Sequence, residues 1–409
     1  MAIKRLKKSI NFEKAYYYFV LLFAFTLPLS RASVSAFTIL LPLLWLLEGN
    51  YKKKWLKIQK EKSLIFLLLF IFFSLLSTLW TQNMEDAYRP LRMFTYLGSA
   101  FVIATSLDKK YIYTIISAFL YGMLISEIIA YGVYFELWHF KHATPQSPSP
   151  FMFHIDYSVF LAFTSILLLN RLVSKRYNLK EKILIALFFT TVTGNLFLSI
   201  GRTGQVALIV AVIVMSILHF RLSIKTLFLS SIFLIALYSL AYFSSPNFKA
   251  RVIFAQDDIS KVLHSNYNSS WGIRALFWRT TANIVLEHPF GVGIGDFMDA
   301  TKAELQNKKY DKLISADTKE FMSTNHPHNE YLLILLESGI IGLIIFLTFL
   351  FYFVKLQIED KELKELALLF ITIYMVSFLA EPLLIKQFPV ALFALFLGIF
   401  ITANSKNLT

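Results

Sequence analysis

Two histidines flank a proline just ahead of a long apolar run, in Asn325-His326-Pro327-His328-Asn329-Glu330-Tyr331. Pro327 suits the opening of a helix, where its missing N–H costs little. His328 and Asn329 are therefore expected beside a helix N terminus. The partial positive charge there favours anions and disfavours an imidazolium. A neutral imidazole beside a bound phosphate can serve as a general base. A histidine satisfied by helix-end hydrogen bonds would have the same sequence, so both readings stay open. Glu337 lies seven residues beyond Glu330, about two turns on and on the same face. A carboxylate inside an apolar helix is expected to be functional or to pair with a buried arginine. Gly339 and Gly342 follow it and would let a neighbouring helix approach.

Arginines offer a complementary chemistry. Arg202 stands in Ser199-Ile200-Gly201-Arg202-Thr203-Gly204, a tight turn between two apolar runs. Its guanidinium fork suits phosphate oxygens, although a snorkelling interfacial arginine looks the same. The stretch Trp271–Glu287 reads as a helix with Arg274, Trp278 and Thr281 on one face. It breaks at Pro289 into a run with Gly291, Gly293 and Gly295, which could form a phosphate-binding backbone nest or a plain turn. Arg89 and Arg92, in MEDAYRPLRMF, and Arg279 are further candidates for holding an anion. With Asn329 and Glu337 they make up the expected substrate-binding set. His154 and Asp156 are expected to cap a helix. Glu381 and Lys386 are expected to form an interfacial pair. His326 and His328 are a weak metal signal, and no His/Asp/Glu group has zinc-site spacing. No P-loop or serine-nucleophile motif occurs, and the expectation is an activity without metal or cofactor.

The elements that must position these residues are membrane helices. Hydrophobic residues make up 56% of the 409 residues and charged ones only 16%, against about 25% charged in soluble domains. The mean hydropathy of +0.59 is too high for a water-soluble globule of this size. Zero cysteines exclude disulfides, thiolate metal sites and cysteine nucleophiles. Twelve apolar segments stand out, at 15–30, 33–48, 64–81, 93–107, 111–137, 154–170, 183–200, 205–219, 226–244, 331–354, 366–381 and 390–403. Their continuous apolar character favours helices over barrel strands. The predicted fold is all-α and polytopic, one membrane domain over 1–409 with about twelve transmembrane helices. No cleavable signal peptide is evident.

Charge sets the expected orientation. With the N terminus in the cytoplasm, the cytoplasmic loops and tail hold 24 of the 40 Lys and Arg, and the short outer segments hold six. The other ten lie in one long, partly helical outer loop, 245–330, balanced by ten acidic residues. The net charge of +14 is thus explained by a cytoplasmic face beside anionic lipids, without nucleic acid. A second outer loop, around 138–153, carries HATPQSPSP and should be extended and mobile.

His328-Asn329, nine residues, Gly339, two residues and Gly342 reproduce the H-[NSQ]-x9-G-x-x-[GTY] pattern of bacterial O-antigen ligases. The chain resembles that family, whose wider group includes O-antigen polymerases and O-linked oligosaccharyltransferases. The Ser199–Gly204 turn is similar to the group's S-x-x-R-[TG]-G. Arg274 to Trp278 and His288 to Gly293 are similar to its R-x-x-x-W…HP-x-G-x-G. The resemblance implies an inner-membrane enzyme with cytoplasmic termini and a periplasmic active site. Its donor would be an undecaprenyl pyrophosphate-linked glycan and its acceptor a lipid A–core. The transfer would be metal-independent and inverting, with His328 as base and Arg202 and Arg274 gripping the pyrophosphate.

The alternative within the group is an O-antigen polymerase, which uses the same donor. A protein O-glycosyltransferase fits less well, because those chains usually carry a further soluble C-terminal portion. From a different class, a transporter would place charge at mid-membrane and show repeated halves. Here the polar chemistry gathers at one surface instead.

Overall fold

The computed structural model describes residues 10–220, 224–244, 246–264 and 267–404, and among these it is all-helical, with only two isolated β-bridges. The membrane bundle opens with α1 (Phe12–Thr26), α2 (Arg31–Glu48), the short α3 (Tyr51–Lys60), α4 (Lys62–Leu76) and α5 (Met84–Ser106). It continues with α6 (Ile112–Tyr134), α7 (His154–Val173), α8 (Leu179–Leu198), α9 (Arg202–Phe220) and α10 (Ile224–Ser244). The long loop is itself largely helical: α11 (Pro246–Leu263), α12 (Ser270–Glu287), α13 (Phe297–Leu305) and α14 (Ala316–Thr324). The chain re-enters the bundle with α15 (Glu330–Val354), α16 (Lys361–Phe378) and α17 (Gln387–Ala403).

Every one of the twelve apolar segments falls on a helix. Among the described residues seven helices are long and apolar enough to cross a membrane: α2, α4, α6, α7, α8, α9 and α15. The sequence predicted about twelve. Of the five other helices that carry apolar segments, α1 and α17 are short, with 15 and 17 residues, α5 and α16 begin in charged turns, and the fifth is α10. The protein is a multi-pass membrane protein.

Helix boundaries follow capping chemistry. Ser30 accepts the Ser33 N–H at the start of α2, and Asn178 and Glu181 form a reciprocal capping box on α8. The lysine-rich α3 links α2 to α4. Its Lys54 is buried, 2.6 Å from Glu48 and over the Trp45 ring, so its ammonium is compensated inside the fold.

The core forms around α17. Its residues from Phe388 to Ala403 are buried, as expected of a helix that is apolar on all sides. It packs against α5, and Phe370, Phe393, Phe396 and Phe400 form a ring cluster beside it. The α7–α8, α7–α9, α9–α16 and α4–α15 pairs complete the bundle. The 245–330 segment, the 138–153 loop and the α16–α17 connection lie at one end of it, the loop end.

Candidate active site

His328 sits one residue before the cap of α15. Its φ is 49°, in the left-handed region, which a non-glycine residue adopts at some cost. The turn is held by its own N–H, which donates to His326 Nδ1 at 3.3 Å. Asn329 is the N-cap: its side chain accepts the Leu332 N–H at 3.0 Å and donates to the Leu379 carbonyl at 3.2 Å. Asn329 is buried, so its described contacts orient His328 by fixing the start of α15.

The residue that organises the site is Glu381, in the connection between α16 and α17. It is 2% exposed. Its Oε2 lies 3.0 Å from His328 Nδ1, and its Oε1 lies 2.5 Å from Lys386 Nζ and 3.4 Å from His326 Nε2. Lys386 also reaches Asp156 at 3.5 Å and stands over the Phe153 ring at 5.4 Å. Burial alone would disfavour the Glu381 carboxylate, but His328, Lys386 and His326 outweigh it and hold the group at about 2. Burial lowers His326 to about 4 against the pull of Glu381, helped by His328, Lys386 and Arg89.

The tautomer of His328 follows from this. An ionised carboxylate only accepts hydrogen bonds, so Nδ1 carries the proton shared with Glu381. In the neutral ring Nε2 then bears the lone pair. A His–carboxylate pair of this kind fixes the ring and stabilises the imidazolium formed after proton uptake.

The expected arginines are distributed unevenly. Arg274 is half-buried, and its Nη1 donates to the Ser270 carbonyl at 3.2 Å. Burial lowers its pKa while the Glu381 charge raises it, so the guanidinium lies within electrostatic reach of that carboxylate. Arg89 is exposed and acts on His326 in the same way. Arg92 and Arg279 are exposed. Arg202 opens α9. Its turn is pressed against α7, where the Gly204 N–H donates to Ser158 Oγ at 3.0 Å and a Cβ on Gly204 would lie 2.0 Å from the Ser158 carbonyl. That contact puts the Arg202 turn two residues along α7 from Asp156. Of the helix face read from 271–287, Thr281 is buried and Trp278 exposed.

The glycine run does not form a phosphate nest. Its amides are taken by protein acceptors: Gly291 by the His288 carbonyl, Val292 by Leu336, Gly293 by Glu337, Ile294 by Ser77 Oγ, and Gly295 by Glu337 Oε1. The run is a clamp. It grips α15 where Gly339 adopts a non-helical φ of 63°, and the Ile340 N–H donates to the Pro289 carbonyl there. Asp296 then caps the approach to α5 by accepting the Gln82 and Asn83 N–H groups at 2.7 and 2.8 Å. Glu337 is buried and bonded to this loop, where an arginine partner was one expectation. Glu330 likewise accepts the Leu384 N–H at 2.9 Å, which secures the connection that carries Glu381.

Asp156 was expected only to cap α7. It lies in the first turn but pairs with Lys386 instead. The Glu381–Lys386 pair was expected, whereas its contacts with both histidines were not. The available signal was three ionisable residues, Asp156, Glu381 and Lys386, at the edges of apolar helices. Their convergence depends on packing between α7 and α17.

The potential ligand atoms of His326, His328 and Glu381 lie within 4.8 Å of one another, a spacing that could hold a metal ion. Lys386 already occupies the same carboxylate at 2.5 Å. A dication there would face an ammonium across a shared oxygen, which is repulsive. The cluster suits proton transfer better than metal binding.

The sequence from 185 to 347 matches the family model described as O-antigen ligase. An uncharacterized protein of Haemophilus influenzae is 28% identical over 333 residues, covering 78% of this chain and 79% of that protein. A Rickettsia conorii protein with the provisional name polysaccharide ligase is 24% identical over 354 residues, covering 82% of this chain and 78% of its own. The matched segment, 185–347, carries Arg202, Arg274 and His328 and is similar to the O-antigen ligase family.

Proposed function

We propose that this protein is an O-antigen ligase. It moves a preformed glycan from undecaprenyl pyrophosphate to a lipid A–core acceptor, at the periplasmic face of the inner membrane. The observation that carries this reading is the Glu381–His328 pair at the loop end. His328 Nε2 accepts the proton of the acceptor hydroxyl as its oxygen attacks the anomeric carbon. The glycosidic C–O bond to the pyrophosphate breaks on the opposite face, so the centre inverts. Arg202 and Arg274 stabilise the charge on the departing pyrophosphate. Arg89, Arg92 and Arg279 line the approach for anionic substrate, and Asn329 and Glu337 shape the site through the backbone they hold.

The basic loops, with 24 Lys and Arg against six in the short segments of the other side, support cytoplasmic termini. The same charge bias supports membrane lipids as the partner of the opposite end of the bundle. No nucleic acid is needed to explain the charge.

The test uses purified protein, undecaprenyl pyrophosphate glycan, lipid A–core acceptor and chelator. A single transfer to the acceptor that disappears in His328→Ala supports the ligase. A ladder of lengthening lipid-linked glycan, formed without acceptor, would make the protein a polymerase instead.

A further inference from the structure

A cavity at the loop end is lined by cations, imidazoles, hydroxyls and aromatic rings. It encloses about 710 Å³ between the 138–153 loop and the junction of α1 and α2, a size typical of small-ligand sites. Two cations, Arg31 and Lys141, line it, with the imidazoles of His142 and His154. Ser30, Ser147 and Ser149 add hydroxyls, and Phe151 and Phe153 add flat apolar faces. No acidic residue is among the lining residues.

The cations are held in place by rings. Lys141 adopts a left-handed φ of 50° and stands over Phe140 and Phe151 at 5.1 and 5.2 Å. Arg31 lies over Phe388 at 5.7 Å. Among the described residues neither has a carboxylate at ion-pair distance. Both are exposed. The loop that carries Lys141 is fastened by the Thr144–Ser147 bridge and by the edge contact of Phe140 on Phe151. It is stiffened by Pro145, Pro148 and Pro150. The expectation of an extended loop therefore gives way to a built wall.

The cavity also adjoins the active centre. Phe153 is the ring beneath Lys386, the partner of Glu381. Gln387, next in sequence, donates to the Arg31 carbonyl and to Ser35 Oγ. Paired cations recognise phosphate or carboxylate oxygens, the hydroxyls suit sugar hydroxyls, and the rings suit the apolar face of a sugar.

We infer that this cavity binds a negatively charged saccharide of the acceptor glycolipid and presents its neighbouring sugar hydroxyl to His328. The inference rests on the ligase reading for its source: the same chemistry could also receive the donor's pyrophosphate, and the test separates the two.

The experiment places a photoreactive benzoylphenylalanine at Ser149 in the full-length protein in nanodiscs. The probes are a phosphorylated lipid A–core, the same molecule after chemical dephosphorylation, and undecaprenyl pyrophosphate glycan. Crosslinking to the phosphorylated acceptor is expected, with at least a tenfold drop after dephosphorylation or in Lys141→Gln/Arg31→Gln. In turnover those two substitutions should raise the acceptor KM about tenfold while leaving kcat and donor KM in place. An unchanged melting temperature would show that they fold. Equal crosslinking to the dephosphorylated acceptor, or preferential crosslinking to the donor, would overturn the inference. Charge-dependent crosslinking without any product would sustain the site and count against the ligase reading. Product without charge-dependent crosslinking would do the reverse.

Discussion

Glu381 and His328 are 53 positions apart in the chain, yet their side chains meet at 3.0 Å, on a connection and a helix start that no sequence motif links. The carboxylate is buried and shared with Lys386. His328 is thereby given one tautomer, one ring orientation and a nearby counter-charge. These are the requirements for a base that must become a cation during reaction.

The first prediction separates the charge of Glu381 from its packing. Glu381→Gln should lower kcat about 10- to 1,000-fold, because the ring loses its counter-charge and its tautomer is no longer enforced. Lys386→Met should destabilise the fold by about 3 kcal/mol, since it leaves a buried carboxylate under-compensated. The double variant Lys386→Met/Glu381→Gln should regain stability without regaining activity. Thermal melts and transfer assays on the same preparations test this, and a double variant as unstable as Lys386→Met would refute it.

A second prediction concerns metals. If Lys386 holds Glu381 as the geometry indicates, glycan transfer should be insensitive to EDTA. Added zinc should inhibit, because it would compete for His326 and His328. Loss of activity in chelator, restored by one specific divalent ion, would identify the three-ligand cluster as a metal site instead.

The clamp on α15 gives a third prediction. Gly339 has φ 63°, and a Cβ there would lie 2.3 Å from the Pro289 carbonyl. Gly339→Ala should therefore cost about 3 kcal/mol. Gly342 has no such dihedral, but a Cβ there would lie 2.3 Å from the Ser338 Cβ. Gly342→Ala therefore meets a steric clash without the dihedral strain and should cost less than Gly339→Ala. Melting temperatures of the two variants, compared side by side, decide the point.

Stability against pH is the fourth. Glu381 is held at about 2, below its ordinary 4.5, so its contribution is complete above 4.5 and is lost as pH falls from there. His326 is lowered from 6.5 to about 4, so the folded state resists its protonation. Its contribution is complete above 6.5 and declines as pH falls towards 4. Both effects have the same sign. The melting temperature should fall between pH 6.5 and 4, and His326→Gln should flatten that part of the curve. An identical slope in the variant would remove His326 as the cause.

The sequence by itself determined the class of this protein and the local framework of its candidate site. Long continuous apolar runs favour helices over alternating barrel strands in a membrane, because a helix satisfies every backbone N–H within its own segment. The twelve runs all proved helical for that reason. Pro327 and Asn329 marked the start of α15 because capping is local chemistry, and the His-Asn-x9-Gly-x-x-Gly spacing lies within one stretch of chain, from the cap of α15 past its break at Gly339. Tertiary structure alone decided what surrounds His328. Glu381 and Lys386 share the α16–α17 connection, where their pairing was legible, but nothing in the sequence linked that connection to Asp156 on α7 or to the two histidines ahead of α15. The same holds for the glycine run. Its alternation allowed a phosphate nest or a clamp, and only the position of α15 beside it consumed the amides. Periodicity and capping act over a few residues, whereas ion pairs and loop docking act across whatever the packed helices bring together.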